Sequence, residues 1–288
     1  MREVQVSCHL PYLLALDSRE YPTPAQGGSV HLSRTFSLGL ENTAEQTFAS
    51  MLFNADDDAS PDNIDRLQRE QADKLLRRVN HLLRWYRATT GQPTIIDLTR
   101  AQASPFRFTF KESGARWGDP STLEYEPSNA TLPQAPHAQI VRAVLNGLTS
   151  KGDPDVATLN LLDAEYALSV GRFRESVLLS WGAIDSTFVR KFKALVDARL
   201  MDEWSEGRDF LKGIDFGLRH KMTTGWRLLT GQSLHAEPDD FWKELSSSYR
   251  IRNTVIHEGQ IATEDDAKLA IKVARKILKI VASFPAPV

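Results

Sequence analysis

An arginine, an asparagine and a histidine lie close together near the carboxyl end of the chain, at Arg252, Asn253 and His257. Arginine carries a permanent positive charge suited to phosphate, and histidine is the side chain whose proton moves near neutral pH. Together they could process a phosphodiester without a metal ion. On an ideal helix, residues five apart point about 140° from each other, so one helix would not bring both side chains to one phosphate. A symmetric dimer, or a helix distorted near Gly259, would bring them together.

Arg250 adds a second cation to this segment. It precedes His257 by seven positions and therefore shares its helix face, either as part of a site or as a cation beside one. A structural interpretation stays open beside the catalytic one: Arg252 pairs with an acid of the helix, and His257 complements the negative end of the helix dipole. Substitutions at Arg252 and His257 separate the two interpretations. If the pair is catalytic, the substituted protein should lose cleavage and keep its melting temperature. If the pair is structural, the substituted protein should lose stability.

Composition limits the classes of protein to which the chain can belong. Its 288 residues, 41% of them hydrophobic, suffice for one large domain or two ordinary ones, and we predict two. A net charge of −2 excludes a strongly basic protein that coats nucleic acid, so any RNA contact must be local. Cys8 is the only cysteine, which excludes a disulfide framework. Without a signal peptide or an apolar run of about 20 residues, we predict a cytoplasmic protein that does not span a membrane.

The amino-terminal part of the chain predicts an α+β domain over residues 1–125. Apolar residues alternate with polar ones over much of residues 1–55, which is typical of half-buried strands. From 61 to about 90 the apolar spacing changes to three and four, which predicts a helix with Ser60 as its N-cap. Two further strands are predicted at 94–98 and 106–110.

The carboxyl-terminal part predicts a separate, all-α domain. A segment rich in proline, serine and asparagine resists regular structure, and we place a linker at 126–136. From 137 to 288 the apolar residues follow helical spacing throughout. The last helix begins at Thr263, whose hydroxyl can cap it, and presents its lysines and arginine to solvent. The predicted fold class is therefore an α+β domain followed by a helical bundle.

The segment Arg252-Asn253-Thr254-Val255-Ile256-His257, within a helical carboxyl-terminal half, resembles the motif of the HEPN superfamily. That motif is an arginine, usually followed by Asn, Asp or His, and then a histidine a few residues later. The resemblance covers residues 137–288, which are similar to the HEPN domains of abortive-infection and phage-defence proteins. It implies a helical bundle, a homodimer and RNA cleavage without a metal or another cofactor. Family members often have an acidic residue facing the motif, and Asp185 is the matching position here.

The activity that the resemblance implies is transesterification of RNA, with tRNA as one candidate substrate. His257 would move protons, Arg252 would stabilise charge on the phosphoryl oxygens, and Asn253 would orient the site. DNA lacks the attacking 2′-hydroxyl and should resist. The function expected is a toxin or antiphage effector, with residues 1–125 sensing a trigger or a regulatory protein. The alternative is a catalytically inactive HEPN-like module that dimerises and recruits a protein partner.

A second, weaker RNA-binding candidate lies in the helix predicted from 61 to 90. Basic residues next to stackable aromatics can guide a single strand. The candidates are Arg77, Arg78, Arg84 and Trp85. A charged outer face is also what any amphipathic helix shows, and we favour that interpretation. The remaining histidines lack metal-ligand spacing, so no metal site is predicted.

Overall fold

The structure is a computed structural model in which the chain divides into two compact units, residues 1–154 and 155–288. The fold class predicted from sequence, an α+β part followed by a helical part, is confirmed. The residues that the structure describes are 2–12, 14–38, 43–55, 60–103, 106–117, 137–150, 152–200, 205–213, 217–237 and 240–284.

The first unit is built on a five-stranded antiparallel sheet with strand order β2-β3-β4-β1-β5. The alternation predicted from sequence is confirmed in β1, where every second side chain from Val4 to Leu10 is buried. Burial raises the pKa of the Cys8 thiol to about 12, so this cysteine is an unreactive core residue. The strands are β1 Arg2–Leu10, β2 Glu20–Thr23, β3 Gly28–Leu38, β4 Thr43–Ala55 and β5 Arg107–Phe110.

A long helix, α1 (Pro61–Thr90), packs on this sheet and confirms the predicted helix. Its apolar side chains at three- and four-residue spacing enter the core, Leu75, Val79 and Leu82 among them. Gly91 ends the helix with φ +68°, a conformation that glycine adopts without strain. Ser60 occupies the N-cap position, but its side chain accepts no capping hydrogen bond there.

The strand predicted at 94–98 is wrong, because this segment is irregular. Its backbone groups bond to side chains rather than to a neighbouring strand. The Asn80 amide bonds both the N–H and the carbonyl of Leu98, at 2.8 and 3.0 Å. The Tyr12 hydroxyl does the same for Ile96, at 3.2 Å each. These contacts satisfy the buried polar backbone without a strand.

The next helix, α2 (His137–Thr149), belongs to the first unit rather than to the helical one. Its apolar residues, including Ile140 and Val144, enter the same core as α1. Gly147 lies against the Trp85 indole, and a side chain there would overlap the ring. The boundary between units therefore follows Pro154, whereas the sequence placed it at 126–136, a segment outside the described residues.

The second unit is helical. Its largest buried side chains are aromatic, among them Trp181, Phe188 and Trp226. Two segments, Asp185–Val189 and Lys221–Gly225, are π-helical. No helix in the described part of the chain is both long and apolar enough to cross a membrane. The helices are α3 Val156–Ser169, α4 Phe173–Ile184, α5 Arg190–Arg199, α6 Ser205–Lys212, α7 Leu218–His220, α8 Trp226–Thr230, α9 Phe241–His257 and α10 Glu264–Ser283.

Candidate functional site

The candidate motif lies on α9, and a contact with α4 fixes its position. The Trp181 indole N–H donates to the Ser248 hydroxyl at 3.1 Å, and both residues are buried. The Trp181 ring also meets Tyr249 edge-on, with 5.4 Å between centroids. Asp185 follows Trp181 by four residues, at the start of the π-helical segment that continues α4, and Arg252 follows Ser248 by four residues on α9. The two turns therefore bring a carboxyl group towards an arginine.

Asp185 and Arg252 interact electrostatically at this point. Burial raises the pKa of Asp185 above its ordinary value, and the positive charge of Arg252 opposes that rise. Arg252 Nη1 also donates to Asn253 Oδ1 at 3.0 Å. Three of the residues singled out by sequence thus lie together, half-buried. The other N–H groups of Arg252 have no hydrogen-bond partner among the described residues, so they are available to a ligand.

His257 is the last residue of α9 and is exposed to solvent. The helix is continuous from Phe241 to His257, and the turn at Gly259, with φ +67°, comes only after it. The sequence left open a distortion that would rotate His257 towards Arg252, and the structure does not contain it. The two side chains therefore project to different sides of α9, with the exposed Arg250 on the side of His257.

Two apolar residues close to His257 are exposed. Ile256 retains 39% of its accessible surface and Ile261 retains 87%. Single exposed apolar residues are ordinary, but here they lie on either side of a candidate catalytic histidine. Covering them by a second protein surface would bury apolar area next to the motif.

The cluster has the chemistry of a phosphate-binding site. A guanidinium offers several N–H donors in a plane that matches phosphate oxygens. The hydrogen bond to Asn253 restrains the Arg252 side chain, so less conformational entropy is lost when it binds an anion. An exposed histidine such as His257 can accept or donate a proton at a group brought in from solvent.

Three of the four RNA-binding candidates on α1 contact other parts of the first unit. Arg78 donates to the carbonyls of Gly27 and Ser29 at 2.8 and 3.0 Å. Trp85 packs against Gly147 of α2, and its indole N–H donates to the carbonyl of Gly152. Arg84 is paired with acidic side chains, and among the four candidates only Arg77 is fully exposed.

Arg84 belongs to a charged cluster that the sequence did not indicate. It forms ion pairs with Asp97 and with Asp153, the latter at 3.2 Å. The buried His81 places Nδ1 3.1 Å from the same Asp153. Burial alone would raise the pKa of Asp153, but hydrogen bonds from His81 and Arg84 outweigh it and hold that pKa below its ordinary value. The cluster fastens the segment after α2 to α1.

No family model, curated protein or solved structure matches the chain. Within the described ranges, no group of three or more His, Cys, Asp or Glu side chains is arranged to hold a metal ion.

Proposed function

We propose that the protein is a metal-independent endoribonuclease and that Arg252, Asn253 and His257 form its active site. One observation carries the proposal. The α4–α9 contact holds Arg252 beside Asp185 and Asn253 with donors free for a ligand, while His257 stands exposed on the same helix. The resemblance of the motif to the HEPN superfamily supports the same conclusion and supplies the substrate class, RNA.

The proposed reaction is an internal transesterification. The 2′-hydroxyl of one nucleotide loses its proton to His257 and attacks the neighbouring phosphorus, forming a bond between O2′ and phosphorus. The bond from phosphorus to the 5′-oxygen breaks, and that oxygen takes up a proton. Arg252 stabilises the negative charge that develops on the phosphoryl oxygens. The products carry a 2′,3′-cyclic phosphate and a 5′-hydroxyl.

The working unit of this proposal is a homodimer. Because α9 directs Arg252 and His257 to different sides, two copies of the motif must meet to surround one phosphate. Ile256 and Ile261 provide exposed apolar surface for such a contact. In a symmetric dimer, Arg252 of one copy and His257 of the other would then form each site.

The biological setting is proposed from the same resemblance. We propose a cytoplasmic toxin or antiphage effector that cuts cellular RNA, with tRNA as the first substrate to try. The first unit would then sense a trigger or bind a regulatory protein.

Cleavage of labelled tRNA and of total cellular RNA in EDTA tests the proposal. The wild type should cut both and leave cyclic phosphate ends, whereas His257→Ala and Arg252→Ala should not. RNA with a 2′-deoxy nucleotide at the cleavage site should resist cleavage. RNA that stays intact with wild type, alone and after addition of cell extract, would reject the enzyme and favour the inactive dimerisation module.

Mixing two inactive variants tests the dimeric site. In a mixed dimer of Arg252→Ala with His257→Ala, one intact arginine and one intact histidine remain on different chains. A site shared between chains should then recover up to about a quarter of wild-type activity, because half of the dimers are mixed and half of their sites are intact. A site within one chain would recover none. Light scattering that shows a monomer would also reject the shared site.

A further inference from the structure

A cleft of about 1060 Å³ crosses the second unit along the outer face of α10. Five basic side chains of one helix line it, accompanied by two acidic ones, Glu165 and Glu237. The chain as a whole carries a net charge of −2, so this cleft is a local excess of positive charge. The basic residues are Lys268, Lys272, Arg275, Lys276 and Lys279.

The spacing of these residues makes a continuous track. Successive members are four, three, one and three positions apart, so they lie along one helix face. From Lys268 to Lys279 the track runs about 16 Å along the axis. A line of charge of this length suits a polymer with regularly spaced negative groups better than one small anion.

Neighbouring side chains hold part of the track in position. Arg275 pairs with Glu165 at 2.8 Å, and Lys272 pairs with Glu244 of α9 at 2.5 Å. The Lys276 ammonium lies 4.5 Å from the centre of the Phe241 ring. Lys279 makes no ion pair with any described residue, so its charge is available to a ligand.

The floor of the same cleft is apolar. Leu168, Ile271, Ile280 and Phe284 line it beneath the charged rim. Single-stranded RNA offers both matching surfaces, because its phosphates are charged and its unpaired bases are flat and apolar on their faces. A duplex turns its bases inward and leaves nothing for this floor to contact.

We infer that the α10 cleft binds the backbone of single-stranded RNA. The charge and shape of the cleft favour a single-stranded polyanion. The preference for RNA over DNA rests on the proposed function. The cleft belongs to the same compact unit as the α9 motif, and α10 packs against α9 in its core. It would supply the binding energy that a small catalytic cluster lacks.

The test measures RNA binding in EDTA by fluorescence anisotropy, with a labelled single strand of about 12 nucleotides. The protein is the full chain carrying His257→Ala, so that binding is read without cleavage. The cleft variant adds K268Q/K272Q/K279Q, three exposed positions. The matched control adds K193Q/R227Q/K243Q, which removes three exposed cations of the same unit outside the cleft.

We expect the cleft variant to bind at least tenfold more weakly, and the control to bind as the parent does. The dependence of log affinity on log salt should become shallower by about 2 for the cleft variant, because each released phosphate contributes about 0.7. Lys279→Glu alone should weaken binding in the same direction. Duplex RNA of the same sequence should bind more weakly than the single strand.

Equal weakening in the cleft and control variants would overturn the inference, as would unchanged binding or equal affinity for duplex RNA. Failure of the nuclease proposal gives a different result. RNA would then bind the cleft and stay intact with wild type. If a chain with intact His257 and the three cleft substitutions still cleaves RNA, the inferred role of the cleft is wrong and the nuclease proposal stands.

Discussion

The basic side chains singled out in the two units differ in their partners. In the first unit, Arg78 and Arg84 are occupied by the chain's own carbonyl and carboxylate oxygens, and they tie loops to α1. In the second, Arg252 keeps donors for a ligand, and His257 and Lys279 face solvent. A basic side chain on a helix is thus available to a ligand only where the oxygens of the fold leave some of its donors unused.

The largest expected effect is on catalysis, at His257. His257→Ala should lower RNA cleavage by about 10²–10⁴-fold, the usual contribution of a general acid or base. Its unfolding free energy should change by less than about 0.5 kcal/mol, because the side chain is exposed. Rates of product formation and urea denaturation measure the two quantities. Glu258→Ala, the exposed neighbour, is the control and should keep its activity. A large loss of stability in His257→Ala would favour a structural role.

The next effect is on stability, at two adjacent arginines of α1. Arg78→Ala should reduce the unfolding free energy by about 1–3 kcal/mol, because it leaves the carbonyls of Gly27 and Ser29 without their charged donor. Arg77→Ala should change it by less than about 0.5 kcal/mol, since Arg77 is exposed. Denaturant titration of both variants gives the comparison. A smaller effect at 78 than at 77 would contradict this account of the first unit.

A smaller effect concerns pH, at Asp185. Folding raises the pKa of this carboxyl, so its contribution to stability is present below the ordinary value near 4 and is lost as pH rises through the folded pKa. Asp185→Asn cannot titrate. The wild type should therefore lose stability relative to this variant as pH increases over that window, as measured by denaturation at a series of pH values. Parallel curves would show that Asp185 is not desolvated.

The smallest effect is the opposite pH dependence at Asp153. The pKa of this carboxyl is lowered in the folded state, so its contribution is present above the ordinary value and is lost as pH falls through the folded pKa. Compared with Asp153→Asn, the wild type should lose stability on acidification. The amplitude should be small because half of the side chain is exposed and screened by solvent. A dependence of the same sign at 153 and 185 would remove this contrast between the units.

Elements with one buried face could be predicted from the sequence. The alternation in β1 and the three- and four-residue spacing in α1 follow directly from which side chains meet the core. The last helix was also predictable, since Thr263 and Asp266 form a capping box at its start. The segment at 94–98 was not, because Tyr12 and Asn80, distant in sequence, satisfy its backbone.

The compact units divide at a position other than the predicted linker for a related reason. An amphipathic pattern shows that α2 has an apolar face but not which core will bury it, and Gly147 fits only against Trp85 of the first unit. At the site, residue types and spacing pointed to Arg252, Asn253 and His257. The contact that positions them could not be predicted, because the hydrogen bond from Trp181 to Ser248 joins residues 67 positions apart.

The π-helical segment Asp185–Val189 has a consequence for comparing this chain with others. Bonding between residues five apart admits one more residue than an α-helical turn, so α4 and α5 are out of phase by one position. Deleting one residue here would convert the segment into an ordinary α-helical turn and leave the residues after it, Phe192 among them, facing the same core. An alignment with an uninterrupted helix therefore needs a gap within this segment. A gapless alignment would misplace either the carboxylate beside the motif or the aromatic core behind it.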